Sequence, residues 1–206
     1  HQQFLEGELM QRADGEWRLG KERFSKKLEL VLDAGMTADE VLADAEAEFA
    51  RVRSDMYVVA RQAWSGFFPG ETLPPDDASG RRETIDRVCH AINQFHGTPD
   101  ELLGDAIETV DSIKRFITER DILRLPEPDR CELIEMPEFH RGNSLAYMDS
   151  AAPLDPDARS FYAISPPPAD WSEDRVKSFL EEYNHYMLQI LTIHEAYPGH
   201  YVQLEY

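Results

Sequence analysis

The feature that most constrains this chain is a regular apolar repeat near its C-terminus that ends on a histidine. From Ser172 onward, apolar and aromatic side chains recur at steps of four, three, four, three and four residues, which is the period of one helix face. The members of the repeat are Val176, Leu180, Tyr183, Met187, Ile190 and His194. The pattern predicts a helix that reaches His194.

This helix leads into the segment HEAYPGH, which contains two histidines, a glutamate and a Pro-Gly pair. Zinc hydrolases with an HExxH motif place two histidines one helical turn apart and use the glutamate as a general base. Here Pro198 occupies the fourth position after His194, and the second histidine, His200, comes two residues later. Six residues advance a regular helix by about 600°, which leaves the two imidazoles about 120° apart. A regular helix therefore cannot direct both rings to one ion.

Pro198 and Gly199 favour a distortion that would change this geometry. Proline has no N–H and its ring clashes with the carbonyl four residues earlier, whereas glycine adopts backbone angles closed to other residues. We therefore expect a distorted helix between Glu195 and His200, with both imidazoles converging. The alternative is a plain helix stop, with His194 a core histidine and His200 in the loop beyond.

The first part of the chain carries helical patterns separated by loops. A 3–4 repeat of apolar residues predicts one long amphipathic helix whose apolar face belongs to the core. Its members are Val41, Ala45, Phe49, Val52, Met56 and Val59. Thr37 and Glu40 form a capping-box signature at its start. Further helices are predicted over 20–33, over 81–96 and from Thr98 to about Arg120.

The pattern changes near Leu125, where short segments rich in aromatic and branched residues begin. Residues 131–136, 144–148 and 160–165 are each bounded by Pro, Gly or Asp, and they predict strands joined by turns. A helix over 131–136 is the alternative for the first of these segments.

Together these patterns predict a mainly helical α+β fold with two regions. Residues 1–124 form a helical region with long helices. Residues 125–206 form a small antiparallel sheet, followed by the helix that carries the HE motif.

Composition excludes several classes of protein. The chain has 21 basic and 40 acidic residues and a formal net charge of −19, which argues against a nucleic-acid binder. No apolar run approaches the ~20 residues of a membrane span. The first residues lack the basic and apolar regions of a signal peptide, which slightly favours the cytoplasm and leaves a secreted or periplasmic location open. The oligomeric state is not readable from these features.

The stretch EEYNHYMLQILTIHEAYPGHYVQLEY resembles the signature of a large bacterial family, domain-of-unknown-function family 885 (DUF885). The segments RADGEWRLGKERFSKKLEL, TADEVLADAEAEFARVR and PEFHRGNSLAYMDSAAP resemble the same family, so the resemblance covers essentially the whole chain. The family is similar to zinc metallopeptidases of the gluzincin kind. The resemblance implies that His194 and His200 are zinc ligands, that Glu195 is the general base, and that the substrate is a peptide or small amide.

The resemblance also implies a third zinc ligand, a glutamate on a helix that follows the second histidine. The sequence stops at Tyr206, and Glu205 is the remaining downstream acid; it is too near His200 in sequence to be that ligand, although it could substitute. We therefore expect the third ligand beyond Tyr206, which would make this chain a fragment. The 206 residues alone should bind zinc weakly and show negligible hydrolysis. The alternative function is a non-catalytic helical scaffold or binding module with a vestigial or incomplete metal site.

The resemblance to gluzincins further implies a sheet whose edge strand pairs with an extended peptide substrate. Residues 144–150 and 160–165 are the candidate edges. The alternative is a sheet that only covers the helices.

Overall fold

The computed structural model describes residues 1–33, 35–141, 145–152, 154–155 and 157–206. Its backbone contacts divide the chain into two compact units, His1–Gln62 and Ala63–Tyr206. The division predicted between residues 124 and 125 rests on the change from helical to strand patterns, and it stays a prediction. No helix in these described ranges is long and apolar enough to cross a membrane.

Helices make up most of the described chain, as predicted. In chain order they are α1 (Gln2–Phe4), α2 (Met10–Arg12), α3 (Gly20–Lys27), α4 (Ala38–Phe67), α5 (Ala78–Asn93), α6 (Leu102–Glu119), α7 (Glu173–Glu182), α8 (His185–Glu195) and α9 (His200–Glu205). Two π-helical turns, Leu5–Leu9 and Leu28–Leu32, and one 3-10 turn, Glu138–His140, accompany them. The predicted helices are present with shifts of a few residues at their ends.

The start of α4 follows the predicted capping box. The Thr37 hydroxyl oxygen accepts a hydrogen bond from the Glu40 N–H at 3.2 Å, and the Glu40 carboxylate accepts one from the Thr37 N–H at 2.7 Å. Two backbone donors at the helix start are thereby satisfied by side chains. This end of α4 is fixed by local chemistry, which is why the sequence predicted it.

The expected burial of the α4 apolar face is wrong. Phe49 and Val59 are each 64% exposed and Val52 is 40% exposed, while the buried residues of α4 within the first unit are Tyr57 and Ala60. The 3–4 repeat correctly indicated one apolar side of a helix. It could not indicate that the described residues leave this side uncovered.

The three predicted strands form one sheet in the order β1-β3-β2, with β1 (Cys131–Glu135), β2 (Ala146–Asp149) and β3 (Ser160–Ile164). β2 pairs antiparallel with β3, but β1 pairs parallel with it, so the sheet is mixed rather than antiparallel throughout. Short strand patterns show where strands lie but not which neighbours they take. Ser144, the first residue of the second predicted segment, lies outside the described residues.

The core of the second unit lies between α6, the sheet and the C-terminal helices. α6 contributes one buried apolar face at helical spacing, and β2, β3 and the end of the chain from α8 onward contribute the rest. The buried members are Leu102, Ala106, Val110, Ile113, Ile117, Ala146, Tyr162, Ile164, Leu188, Ala196, Tyr197, Tyr201 and Val202. The segment that follows His194 is therefore part of this core.

The helix predicted from Ser172 to His194 is divided into α7 and α8. Asn184 lies between them in extended conformation, and its side chain accepts hydrogen bonds from the N–H groups of Tyr186 and Met187, which makes it the N-cap of α8. The apolar repeat runs across this break without showing it. As a result Met187 and Ile190 are exposed, whereas Leu188 is buried.

Candidate metal and active site

The helix ends at Glu195 and a new one begins at His200, so the predicted distortion is confirmed. The Thr192 carbonyl oxygen accepts hydrogen bonds from the N–H of Ala196 at 2.9 Å and from the N–H of Tyr197 at 3.1 Å. The second bond spans five residues, which is the spacing of a π-helical turn. We call the stretch from Ala196 to Gly199 the bend.

Gly199 brings the bend back against the last turn of α8. A Cβ at this position would lie 1.8 Å from the carbonyl oxygen of His194 and 2.5 Å from that of Ile193. No side chain fits at these distances without moving the backbone. Glycine is needed here for close approach of two chain segments.

The two imidazoles converge as predicted. The Nε2 atoms of His194 and His200 are 3.2 Å apart, and the ring planes are inclined at 86°. Both side chains are exposed, so the alternative of His194 as a core histidine is wrong. We refer to this side of the bend as the histidine face.

The separation of the two nitrogens fits one zinc ion. With Zn–N bonds of about 2.0–2.1 Å and tetrahedral angles, two ligating nitrogens lie about 3.3 Å apart. The Nε2 atoms of His194 and His200 meet this distance. The imidazole pair is thus a suitable donor set for two of the positions of a zinc ion.

Glu195 is the last residue of α8 and is half-buried next to His194. Beneath it, the Tyr162 hydroxyl of β3 forms a hydrogen bond of 3.2 Å with the Thr192 hydroxyl. Burial raises the pKa of Tyr162 to about 12; the hydrogen bond with Thr192 opposes this rise and the charge of Glu195 adds to it. The glutamate therefore lies over a buried layer that stays uncharged near neutral pH.

Across the described residues, no group of three or more His, Cys, Asp or Glu side chains is arranged to hold a metal ion. The acid considered as a substitute ligand, Glu205, pairs with Arg130 at 3.7 Å instead. The described residues therefore supply the two histidines of the candidate site.

The opposite side of the bend is buried, and sequence reasoning missed it. Tyr197 is 1% exposed and Tyr201 is 0% exposed, and we call this side the tyrosine face. Both hydroxyls donate hydrogen bonds to the carboxylate of Asp129, at 2.8 Å from Tyr197 and 3.0 Å from Tyr201. The two tyrosines are four residues apart, which could have indicated a shared partner. Asp129 stands in a polar, proline-containing loop and gave no signal of its own.

Two further groups complete the surroundings of Asp129. Lys114 of α6 forms an ion pair with its carboxylate, and the N–H of Cys131 donates to it at 3.1 Å. Burial alone would raise the pKa of Asp129, but the hydrogen bonds from Lys114 and the tyrosines outweigh this and hold the pKa below its usual range. Burial raises the pKa of Tyr197 and of Tyr201 well above the ordinary tyrosine value, and the hydrogen bonds to Asp129 add to this rise; at Tyr201 the hydrogen bond from the Arg130 N–H opposes it. Asp129 is thus charged and the tyrosines neutral at neutral pH.

Of the two segments predicted to pair with a substrate, residues 144–150 contain an edge strand of the sheet, β2. In the described part of the sheet, β2 pairs on one side with β3, and it lies against α8. Residues 160–165 are wrong as a candidate, because β3 is the central strand and both of its sides are paired. On β2 the Tyr147 hydroxyl lies 3.2 Å from Nδ1 of His140.

Comparison with known proteins identifies the family. The family described as "Bacterial protein of unknown function (DUF885)" matches residues 1–206. The chain belongs to the DUF885 family. A comparison with curated proteins gives no match.

A solved structure is similar to this DUF885 chain in sequence and fold. Its title reads "The structure of a putative lipoprotein of unknown function from Shewanella oneidensis". The two share 27% sequence identity with a TM-score of 0.75, over 96% of this chain. The match spans 34% of that protein, so this chain corresponds to about a third of its length. Neither comparison names an activity, and the link to gluzincin peptidases comes from the resemblance of the motif alone.

Proposed function

We propose that the bend and its flanking helices form the zinc-binding and catalytic segment of a hydrolase that acts on peptide or related amide bonds. The observation that carries this proposal is the separation of 3.2 Å between the Nε2 atoms of His194 and His200. Two nitrogens bound to one tetrahedral zinc ion lie about 3.3 Å apart. The zinc would be held by these two nitrogens and by the third ligand that the resemblance implies, a glutamate on a following helix.

Each residue of the motif has a role in this proposal. The two imidazoles bind the metal through Nε2, which leaves Nδ1 of each ring for a hydrogen bond that orients it. A bound zinc ion polarises a carbonyl group and increases the acidity of water. Glu195, adjacent in sequence to the first ligand, would take a proton from the water that adds to the amide carbonyl carbon, and would return it to the amine released when the C–N bond breaks. Glu195 is half-buried, so part of it remains accessible to substrate.

The edge of β2 supports an extended peptide as the substrate. Backbone groups along an open strand edge pair with a peptide regardless of its side chains, which gives sequence-tolerant binding. Because β2 lies against α8, a peptide at this edge would run close to the helix that ends in Glu195. The position of the strand relative to the motif thus supports a peptide as the substrate class.

The matched structure also supports a location in the cell envelope. Its title reads "putative lipoprotein", and we propose the cell envelope as the compartment of this protein in place of the cytoplasm favoured by the first residues. Fractionation of the source cells, followed by immunodetection, tests this. Recovery in the envelope or periplasmic fraction agrees with the proposal, and recovery with cytoplasmic markers contradicts it.

The activity is tested by measuring zinc content and hydrolysis of a peptide library by the full-length protein and three variants. Glu195→Gln should retain zinc and lose about 10²- to 10⁴-fold in hydrolysis, the range typical for a general base. His194→Ala should lose both zinc and hydrolysis. Glu182→Gln is the matched control, because Glu182 is likewise the last residue of a helix and is exposed; it should behave as the wild type.

Two results would overturn the proposal. Hydrolysis that survives in Glu195→Gln would show that Glu195 is not the base. A full-length wild-type protein without zinc and without hydrolysis would instead favour a binding module with a vestigial site.

A further inference from the structure

The carboxylate of Asp129 holds both ends of the bend at one point. Tyr197 precedes Pro198, and Tyr201 lies in the first turn of α9, directly after His200. The hydroxyl of Tyr197 donates to the two carboxylate oxygens at 2.8 and 2.9 Å, and that of Tyr201 donates to one of them at 3.0 Å. A single acidic side chain thus binds the end of the bend that follows α8 and the beginning of α9.

The tyrosine side of these contacts is buried, whereas the Asp129 carboxylate is partly exposed. Tyr197 and Tyr201 are almost fully buried, and a buried hydroxyl without a partner destabilises the folded chain. The Tyr201 hydroxyl also accepts a hydrogen bond from the N–H of Arg130 at 2.8 Å, so it is satisfied both as donor and as acceptor. A polar network whose buried hydroxyls are all paired favours one arrangement of the chain over its alternatives.

Lys114 connects this network to the core. Its ammonium forms an ion pair with Asp129 and lies 5.0 Å from the centre of the Tyr197 ring. It extends from α6, whose apolar face forms a large part of the core of the second unit. Through Lys114, the tyrosine face is therefore attached to a helix that packs extensively in the core of the unit.

The rotation of α9 relative to α8 determines where the two imidazoles point. His200 immediately precedes Tyr201, so anchoring the Tyr201 hydroxyl sets the direction of the Cα–Cβ bond of His200, about 100° away around the helix. Metal ligands must be held within about 0.5 Å of their productive geometry. We propose that Asp129 is the positioning residue of the site, which sets the Nε2–Nε2 separation of His194 and His200 by binding both tyrosine hydroxyls. This role deepens the proposed function and rests on it where zinc is concerned.

The first test measures zinc affinity of the full-length protein by competition with a chelator. Asp129→Ala should weaken zinc binding by about 10- to 100-fold, the loss found when groups that orient metal ligands are removed. Asp129→Asn should show a smaller loss, because the amide keeps one acceptor oxygen. Some loss should remain, because one oxygen cannot replace the contacts that the carboxylate makes with both hydroxyls and Lys114. Tyr201→Phe, which keeps the ring and removes the hydroxyl, is the mildest variant and remains informative if Asp129→Ala fails to fold.

The control separates positioning from general stability. Thr84→Val removes a different buried hydrogen bond of the second unit, from the Thr84 hydroxyl to the Gly80 carbonyl oxygen at 2.7 Å. It should lower the free energy of unfolding without changing zinc affinity. Equal zinc affinity in Asp129→Ala and the wild type, or an equal loss in Thr84→Val, would overturn the proposal.

A second readout needs no metal. In crystals of the metal-free protein, the Nε2–Nε2 distance should remain near 3.2 Å in the wild type and increase in Asp129→Ala or Tyr201→Phe. An unchanged distance in both variants would overturn the positioning role. A wild-type protein that binds no zinc would overturn the proposed function, and this distance would still decide the role of Asp129.

Discussion

The histidine face and the tyrosine face differ in almost every physical respect, although both lie within the eight residues from His194 to Tyr201. The histidine face is exposed and places two basic nitrogens 3.2 Å apart. The tyrosine face is buried and directs two hydroxyls to one carboxylate. One side is therefore open to a ligand, whereas the other fixes the backbone that presents it.

This difference explains why the motif needs more than two histidines and a glutamate. Two exposed imidazoles can bind one ion only if the backbone holds the Cα atoms that carry them at a suitable separation. The tyrosine face provides that restraint, because displacing Tyr197 or Tyr201 would leave buried polar groups without partners. The spacing of the motif allows convergence, and the buried contacts below it select the converged arrangement.

The largest effect is expected from Gly199→Ala, which disturbs both faces at once. The new methyl group would meet the His194 carbonyl oxygen at 1.8 Å, so the bend must open. We expect a loss of about 1–3 kcal/mol or more in the free energy of unfolding, together with loss of zinc binding. Urea unfolding and zinc titration measure the two effects.

Gly104→Ala is the matched control for this substitution. Gly104 lies in α6, and a Cβ there has no atom within 4 Å. Alanine in a helix interior should stabilise the protein by about 0.5–1 kcal/mol relative to glycine. If the two alanine variants had the same stability and zinc affinity, close approach at Gly199 would not matter.

A smaller effect is expected from the hydrogen bond between Tyr162 and Thr192, which supports the bend from below. Tyr162→Phe and Thr192→Val should each destabilise the protein by about 1–2 kcal/mol, because each leaves a buried hydroxyl unpaired. The double variant should lose less than the sum of the two single variants, with a coupling energy of about 1 kcal/mol. Additive losses in urea unfolding would show that the two hydroxyls do not interact.

The smallest effect is a change in the free energy of unfolding at alkaline pH, which arises from buried tyrosines and not from the histidine face. The pKa of tyrosine in an unfolded chain is about 10, and the folded protein raises it at Tyr162, Tyr197 and Tyr201. Because the unfolded state loses these protons first, their contribution to stability is complete below about pH 10 and declines as the pH rises towards the folded pKa values.

Tyr197→Phe removes one of these groups and should make the decline shallower by up to about 1.4 kcal/mol per pH unit. Free energies of unfolding measured in urea between pH 8 and pH 11 would show the change. Parallel curves for the variant and the wild type would contradict the raised pKa of Tyr197.

The features that follow from local chemistry could be predicted from the sequence. Pro198 and Gly199 cannot continue a regular helix, so the interruption and the convergence of the imidazoles followed from residue types alone. The capping box at Thr37 and the presence of the three strands are of the same kind. Each depends on residues that are close together in sequence.

The features that depend on distant residues could not be predicted. Asp129 meets Tyr197 across 68 residues, and no local pattern links them. The parallel pairing of β1 with β3 joins strands that are not consecutive. The exposure of Phe49 on α4 shows the same limit, since a repeat indicates an apolar face but not its partner. Asn184 divides α7 from α8 because its side chain caps a helix better than it continues one.

The central claim is that one zinc ion lies between the two histidines. An anomalous-difference map from crystals of the full-length protein, recorded at the zinc edge, tests it most directly. We predict a single strong peak about 2.0–2.1 Å from the Nε2 atoms of both His194 and His200. This peak should be absent in His200→Ala. A zinc peak elsewhere in the protein, or no peak in crystals grown with excess zinc, would contradict it.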